Sequence, residues 1–396
     1  MKGSYKSNIQ KMYLIRLVFN MFFISAVLVP FFIEWGRITF SQILFLNAWF
    51  MFWNFLLEVP TGTVADFLGR KISMVMGMAM AVLGTIVYVS YPSYLIFLVA
   101  EVIYALSYTL ISGADEALVY DTLIEIGETE TSKKVFSHME SFKLLGIVIG
   151  AVVGSFIAKA LDVRMPMVLQ TIPLGITCLL TMTLKEPELH EEKHALTFRA
   201  YKKILVDGFR FFRHNKILKI LTLDMVTVFA IAWIMIWFYQ ALLKNVGVDI
   251  VYFGFVHAGM SLAQILLIQN YIRLEKWLGS KKRVLTMGAM LTGGCFILLG
   301  LTRVVPLVII GIVCSAGFGL SRLPLFSSYM NKYIPSDKRA TILSTTSMLR
   351  TLAIVVGNIS AGLLSQWSMY YTLLILGSIA ILYSLVSRIQ EEHLID

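Results

Sequence analysis

Stretches of apolar residues roughly 18–25 long recur along almost the whole chain. At about 1.5 Å rise per residue in a helix, one such stretch spans the ~30 Å hydrocarbon core of a bilayer. The pattern therefore points to a polytopic α-helical membrane protein. Only 15% of the 396 residues are charged and the mean hydropathy is +0.77, where soluble domains carry about 25% charged residues. Almost nothing is left over for a soluble domain. Cys178, Cys295 and Cys314 all fall inside apolar runs without metal-ligand spacing. They read as packing residues rather than as a disulfide framework or a metal site.

The runs predict twelve transmembrane helices, at about 12–35, 40–64, 71–90, 94–117, 134–160, 164–184, 217–243, 250–272, 284–302, 305–330, 340–364 and 368–389. Alternate connections differ sharply in charge. One set holds Lys2, Lys6, Lys11, Arg70, Lys71, Lys133, Lys134, the basic residues between Arg199 and Lys216 and between Arg273 and Arg283, and Lys332, Lys338 and Arg339. The other holds only Arg37, Lys159, Arg164, Lys244 and Arg303. The positive-inside bias puts the first set in the cytoplasm. An even number of spans then leaves both termini there, as expected of a multi-pass protein of the plasma (inner) membrane. The same bias accounts for the net charge of +10 without nucleic acid as a partner. The first run is long and lacks a small-residue cleavage site, so it reads as a retained helix rather than a signal peptide.

The longest connection, 185–216, carries Phe198, Tyr201, Leu205, Phe209 and Phe212 at helical spacing among basic residues. It reads as an amphipathic helix at the cytoplasmic membrane surface, or as a cytosolic helix packed on loops. The segments on either side of it repeat each other. Lys143 and Arg350 are 207 residues apart, as are Gly150 and Gly357, and Ser132-Lys133-Lys134 and Asp337-Lys338-Arg339 precede the two helices that carry them. The expected organisation is a six-helix half at 1–184, the linker at 185–216 and a second six-helix half at 217–396. Transporters built from such repeats bind substrate near the midplane between them.

Between the second and third helices the chain reads Gly62-Thr63-Val64-Ala65-Asp66-Phe67-Leu68-Gly69-Arg70-Lys71. This resembles the signature loop of the major facilitator superfamily, with Phe67 where the family usually has a basic residue. Gly62 would permit close helix approach, Asp66 would sit at a helix N-terminus, Gly69 would allow a sharp turn, and Arg70 would reach a carboxylate near the end of the fourth helix, from Asp115, Glu116 or Asp121. The second-half loop, Arg273 to Lys282, is a degenerate echo. The resemblance implies two pseudo-symmetric six-helix bundles. It also implies a central cavity lined mainly by the first, fourth, seventh and tenth helices. Two features depart from the family's proton-coupled drug exporters: Glu101 stands where a mid-helix Arg is usual, and Ala151 and Ser155 stand where a Pro would follow a Gly in the fifth helix.

An ionisable group at bilayer depth costs about 2.5–3.5 kcal/mol on insertion scales unless it is paired or meets water. Glu101, with Tyr104 and Tyr108 at helical spacing, is the leading proton or cation site, and Asp224 the second. The competing reading for both is a structural ion pair. Lys143 and Arg350, as repeat equivalents, suit an anionic group or an interdomain salt bridge. Arg16, Glu58 and Arg322 are placed at a cytoplasmic gate, together with the loop residues Gly62, Asp66, Gly69, Arg70 and Lys71 and with Asp121. Trp233, His257 and Gln264 are further candidates for the cavity wall; for His257 a hydrogen-bonded packing role is favoured over titration.

The first functional expectation is a secondary active transporter exporting small amphiphilic molecules against protons, as a monomer without cofactor or metal. The second is uptake or exchange of a small organic anion, and the third a binding or sensor protein that keeps the fold without transport. No motif of hydrolase, zinc-peptidase or phosphate-loop chemistry occurs, so an enzyme is not expected.

Overall fold

A backbone inside a bilayer has no water to bond, so each spanning segment satisfies its own N–H and C=O groups by forming helix. The computed structural model describes residues 2–187, 210, 212–334 and 339–394; the side chains at 2–4, 59, 66, 339–341 and 344 are outside the description. Its long helices are α1 (Lys2–Phe19), α2 (Phe40–Leu68), α3 (Arg70–Ser90), α4 (Tyr94–Ile111 and Ala114–Ile126), α5 (Ser132–Ala160) and α6 (Met165–Leu169 and Thr171–Met182). There follow α7 (Lys216–Asn245), α8 (Val251–Leu278), α9 (Lys281–Leu301), α10 (Val305–Leu320 and Arg322–Lys332), α11 (Arg339–Ser365) and α12 (Met369–Val386). Among the described residues eleven of these, α2 to α12, are long and apolar enough to cross a membrane. Most of the predicted amphipathic linker helix, including Phe198, Tyr201, Leu205 and Phe209, lies outside the described residues, as do Asp337 and Lys338.

The first predicted helix is not continuous. α1 stops at Phe19, residues 20–27 form turns, and Leu28–Pro30 leads into a π-helical turn, Phe31–Trp35. Side chains take over the backbone bonds that the helix gives up. The Asn20 amide donates to the Arg16 carbonyl at 2.8 Å, and the Phe23 N–H donates to the buried Gln170 Oε1 at 2.6 Å. Gly146, Gly150 and Gly154 of α5 make room for this unwound chain. A Cβ on any of them would run into the backbone of Leu17, of Met21 and Phe22, or of Phe23.

Two further interruptions mark equivalent places in the repeat. α4 breaks at Ser112 and Gly113, where Gly113 has φ +79° and nothing lies near the position of its missing Cβ. The backbone conformation is therefore what calls for glycine there. α10 breaks at Ser321.

The described residues fall into two compact units, one within Met1–Ile38, Trp49–Phe198 and Ile250–Gly254, the other within Thr39–Ala48, Arg199–Asp249 and Phe255–Asp396. In the first, Met12, Met74, Leu118, Val119 and Met139 pack into one core drawn from α1, α3, α4 and α5. Gly254 packs on Ala151 and Ser155 of α5, and the Ser155 hydroxyl donates to the Val251 carbonyl at 2.9 Å. In the second, Leu218, Leu285, Phe326, Met330 and Ile342 form the equivalent core from α7, α9, α10 and α11, with Phe212 packed against it. Residues 39–48 join this unit through buried polar groups. The Asn358 amide donates to Asn47 Oδ1 at 2.7 Å and Gln366 donates to the Ser41 hydroxyl at 3.2 Å.

Candidate functional site

Glu101 sits about two turns into α4 and is 9% exposed. Its carboxyl meets the Tyr88 phenol from α3. Tyr88 stacks on Phe97 at 5.7 Å between centroids and leans on Tyr104 at 5.6 Å. The Tyr104 hydroxyl is 2.5 Å from the Thr85 hydroxyl. Phe31 and Phe32 extend the same aromatic wall. No cation pairs with Glu101 among the described residues, so the ion-pair reading of this carboxyl has no support there.

About two to four turns further along α4 the first unit holds a cavity of about 220 Å³. Arg16 and Asn20 line it from the end of α1, Tyr108, Asp115 and Glu116 from the two sides of the α4 break, and Lys143 from α5. Arg16 bonds Asp115 at 2.6 Å and approaches Glu116 at 3.7 Å, and its Nε is buried without a partner among the described residues. Lys143 is held by Glu140 one turn earlier, at 2.9 Å. Tyr108 is exposed and meets Phe50 edge-on.

The signature loop organises the neighbouring helix ends. Gly69 has φ +98° and turns the chain from α2 into α3. Arg70 pairs with Asp121, the one of its three sequence candidates that it reaches; the other two belong to Arg16. The sequence reading missed Glu186, whose carboxylate accepts the N–H groups of Arg70 and Lys71 at 2.8 and 2.7 Å and so caps α3. Gly62 lies on α2 with nothing within 4 Å of a Cβ position among the described residues, so no close helix approach is seen there. Glu58 lies exposed on the same helix. The Asp66 side chain is outside the described residues.

In the second unit Asp224 (4% exposed) forms an ion pair with Arg322 (2%). Ser387 donates to the other Asp224 oxygen at 2.5 Å, and Arg322 also donates to the Leu285 carbonyl at 2.6 Å. Tyr239 and His257 are 3.1 Å apart, and Gln240 donates to the Tyr239 hydroxyl, which makes the half-buried His257 part of a hydrogen-bonded group. Trp233 packs near Phe229, with its indole N–H buried and without an acceptor among the described residues. Gln264 is half-buried on α8, and Arg350 donates to Ser347 on its own helix at 3.0 Å.

The two buried ion pairs are repeat equivalents with their signs exchanged. Arg16 and Asp224 are 208 residues apart, and Asp115 and Arg322 are 207 apart. In each unit the pair joins its first helix to its fourth at the fourth helix's break. An ion pair at the same place in both halves is what duplication of one six-helix unit would leave. Residues 14–357 match the model of the Major Facilitator Superfamily.

The chain belongs to the major facilitator superfamily.

Its relatives agree. This superfamily transporter is 24% identical, over 90% of both chains, to the uncharacterized MFS-type transporter YxaM of Bacillus subtilis (strain 168). It is also 24% identical to the glucose/galactose transporter of Brucella abortus biovar 1 (strain 9-941), over 44% of this chain and 45% of that one. Its fold matches the nucleoside transporter NupG with TM-score 0.80 at 14% identity, covering 96% and 97% of the two chains. It matches the D-xylose-proton symporter with TM-score 0.70 at 14% identity, over 98% of both. The protein is a multi-pass membrane transporter and not an enzyme.

Proposed function

We propose that this protein is a secondary transporter that couples a small polar solute to protons, with Glu101 as the proton-carrying group. The observation that carries the reading is a carboxyl buried among Tyr88, Tyr104 and Phe97 with no cation beside it among the described residues. A charge left there without a counter-ion costs several kcal/mol, and taking up a proton removes the charge. The charged and neutral forms of Glu101 then favour different conformations, which is what coupling to alternating access requires. Tyr88 from α3 and Tyr104 from α4 are the titratable neighbours facing it.

Asp224, the second coupling candidate, is already held by Arg322 and Ser387, and this supports a structural role for it. The solute site in this reading is the 220 Å³ cavity. Its volume falls below the ~300–1,000 Å³ of typical drug pockets. Four charged side chains line it, which favours a compact polar solute over the amphiphiles first expected. Lys143 shares that wall with two acids and is paired with Glu140, so the reading as a dedicated anion site is weaker. The alternating basic loops support insertion with both termini in the cytoplasm.

Proteoliposomes loaded with a pH-sensitive dye and challenged with amino acids, sugars, nucleosides and organic acids test the coupling. Wild-type protein moves protons when its solute is added. Glu101→Gln abolishes that signal while solute exchange at equal pH persists. Proton movement unchanged in Glu101→Gln sinks the assignment.

A further inference from the structure

We infer that the cavity at the α4 break binds a small zwitterion, a carboxylate and an ammonium on one compact solute. The inference rests on the reading of this cavity as the solute site. Its lining carries two cations, Arg16 and Lys143, and two anions, Asp115 and Glu116. The four charges sum to zero, so a dipolar solute can meet one group of each sign, whereas a solute with a net charge leaves one of them unmatched.

The groups are also unequally committed. Asp115 is closed into its contact with Arg16 and accepts the Glu116 N–H at 2.7 Å. Glu116 itself touches Arg16 only at 3.7 Å, and its side chain is 67% exposed. Lys143 is 35% exposed, with Glu140 holding it from one side. One carboxylate and one ammonium therefore remain able to meet a solute, and they stand on different helices of the cavity wall. The volume, below that of typical drug pockets, suits a compact solute.

The test is a thermal shift of the purified full chain at pH 7. The probes are glycine, L-alanine, L-serine and γ-aminobutyrate, set against L-lactate as anion, ethylammonium as cation and glycerol as neutral polyol. At least one zwitterion is expected to raise Tm while the other three probes do not. That rise disappears in Lys143→Ala and in Glu116→Gln, both chosen because neither belongs to the Arg16–Asp115 pair that braces the helices. Protection by lactate, ethylammonium or glycerol alone overturns the inference. So does the absence of protection by every zwitterion, or zwitterion protection unchanged in both variants. Glu101→Gln separates the two proposals. Retained zwitterion protection with proton movement also retained removes only the coupling role of Glu101, whereas loss of proton movement without any zwitterion protection removes only the substrate class.

Discussion

At Glu391 a carboxylate just beyond α12 accepts the N–H groups of Lys281 and Lys282 at 2.7 and 3.0 Å and the Ser280 hydroxyl at 2.5 Å, closing the N-terminus of α9. Glu186 does the same for α3 in the first unit. Burial alone would push the Glu391 carboxyl up. The Ser280 hydroxyl, the two N–H groups and the Lys281 ammonium outweigh it and hold the carboxyl below its ordinary range. A carboxylate whose folded value lies below its unfolded one stabilises the fold above the unfolded value, and this contribution fades as pH falls through the folded one. Glu391→Gln is therefore expected to lower the melting temperature at pH 7, with the difference from wild type shrinking below about pH 4; a thermal-melt series from pH 7 to pH 3 checks it. Neither capping acid was legible in advance. A glutamate past the end of an apolar run looks like any solvated loop charge until the turn from α2 to α3, or from α8 to α9, is placed beside it.

The glycines of α5 act on the scale of the element. Their four-residue spacing was visible in the sequence, but not that they face an interrupted helix. Met21, Phe22 and Phe23 are apolar, so residues 12–35 read as one span. Apolarity fixes that a segment lies in the membrane, while its backbone conformation depends on what can accept its N–H groups, here Gln170. Gly150→Leu is expected to destabilise by about 1–3 kcal/mol or more through overpacking against residues 21 and 22. Gly294→Ala in α9, where nothing lies within 4 Å of the added carbon, is expected to be tolerated. The fraction of each variant eluting monodisperse after a heat step measures the contrast. Equal loss in both would mean that the close approach at α5 contributes nothing.

The exchanged ion pairs belong to the whole chain, because only the duplication relates them. Asp224→Ala leaves Arg322 buried without its counter-charge, and the cost expected is about 3–5 kcal/mol. Replacing both partners by apolar residues, Asp224→Leu with Arg322→Met, is expected to recover most of that loss. In the first unit, Arg16→Asp sets two acids against each other, and adding Asp115→Arg is expected to restore part of the folded yield. Yield and melting temperature of the single and double variants decide the point. A double variant no better than its worse single would show that the pairs are held by groups beyond each other.

The chain's membrane nature, its duplicated halves and the superfamily followed from the sequence, because burial in a bilayer is a transfer free energy that sums along the chain and a motif's spacing is local. The repeat separation near 207 relates Arg16 to Asp224 and Asp115 to Arg322 only once the two ion pairs are seen. The partner of each buried charge was decided by the tertiary structure alone. It gave Asp115 to Arg16, Asp121 to Arg70 and Asp224 to Arg322, and left Glu101 among tyrosines. Helices that are apolar nearly all round carry no periodicity to say which face meets which neighbour. That rotation is set by close packing, by glycines that admit a backbone and by breaks that turn a helix end toward a charge.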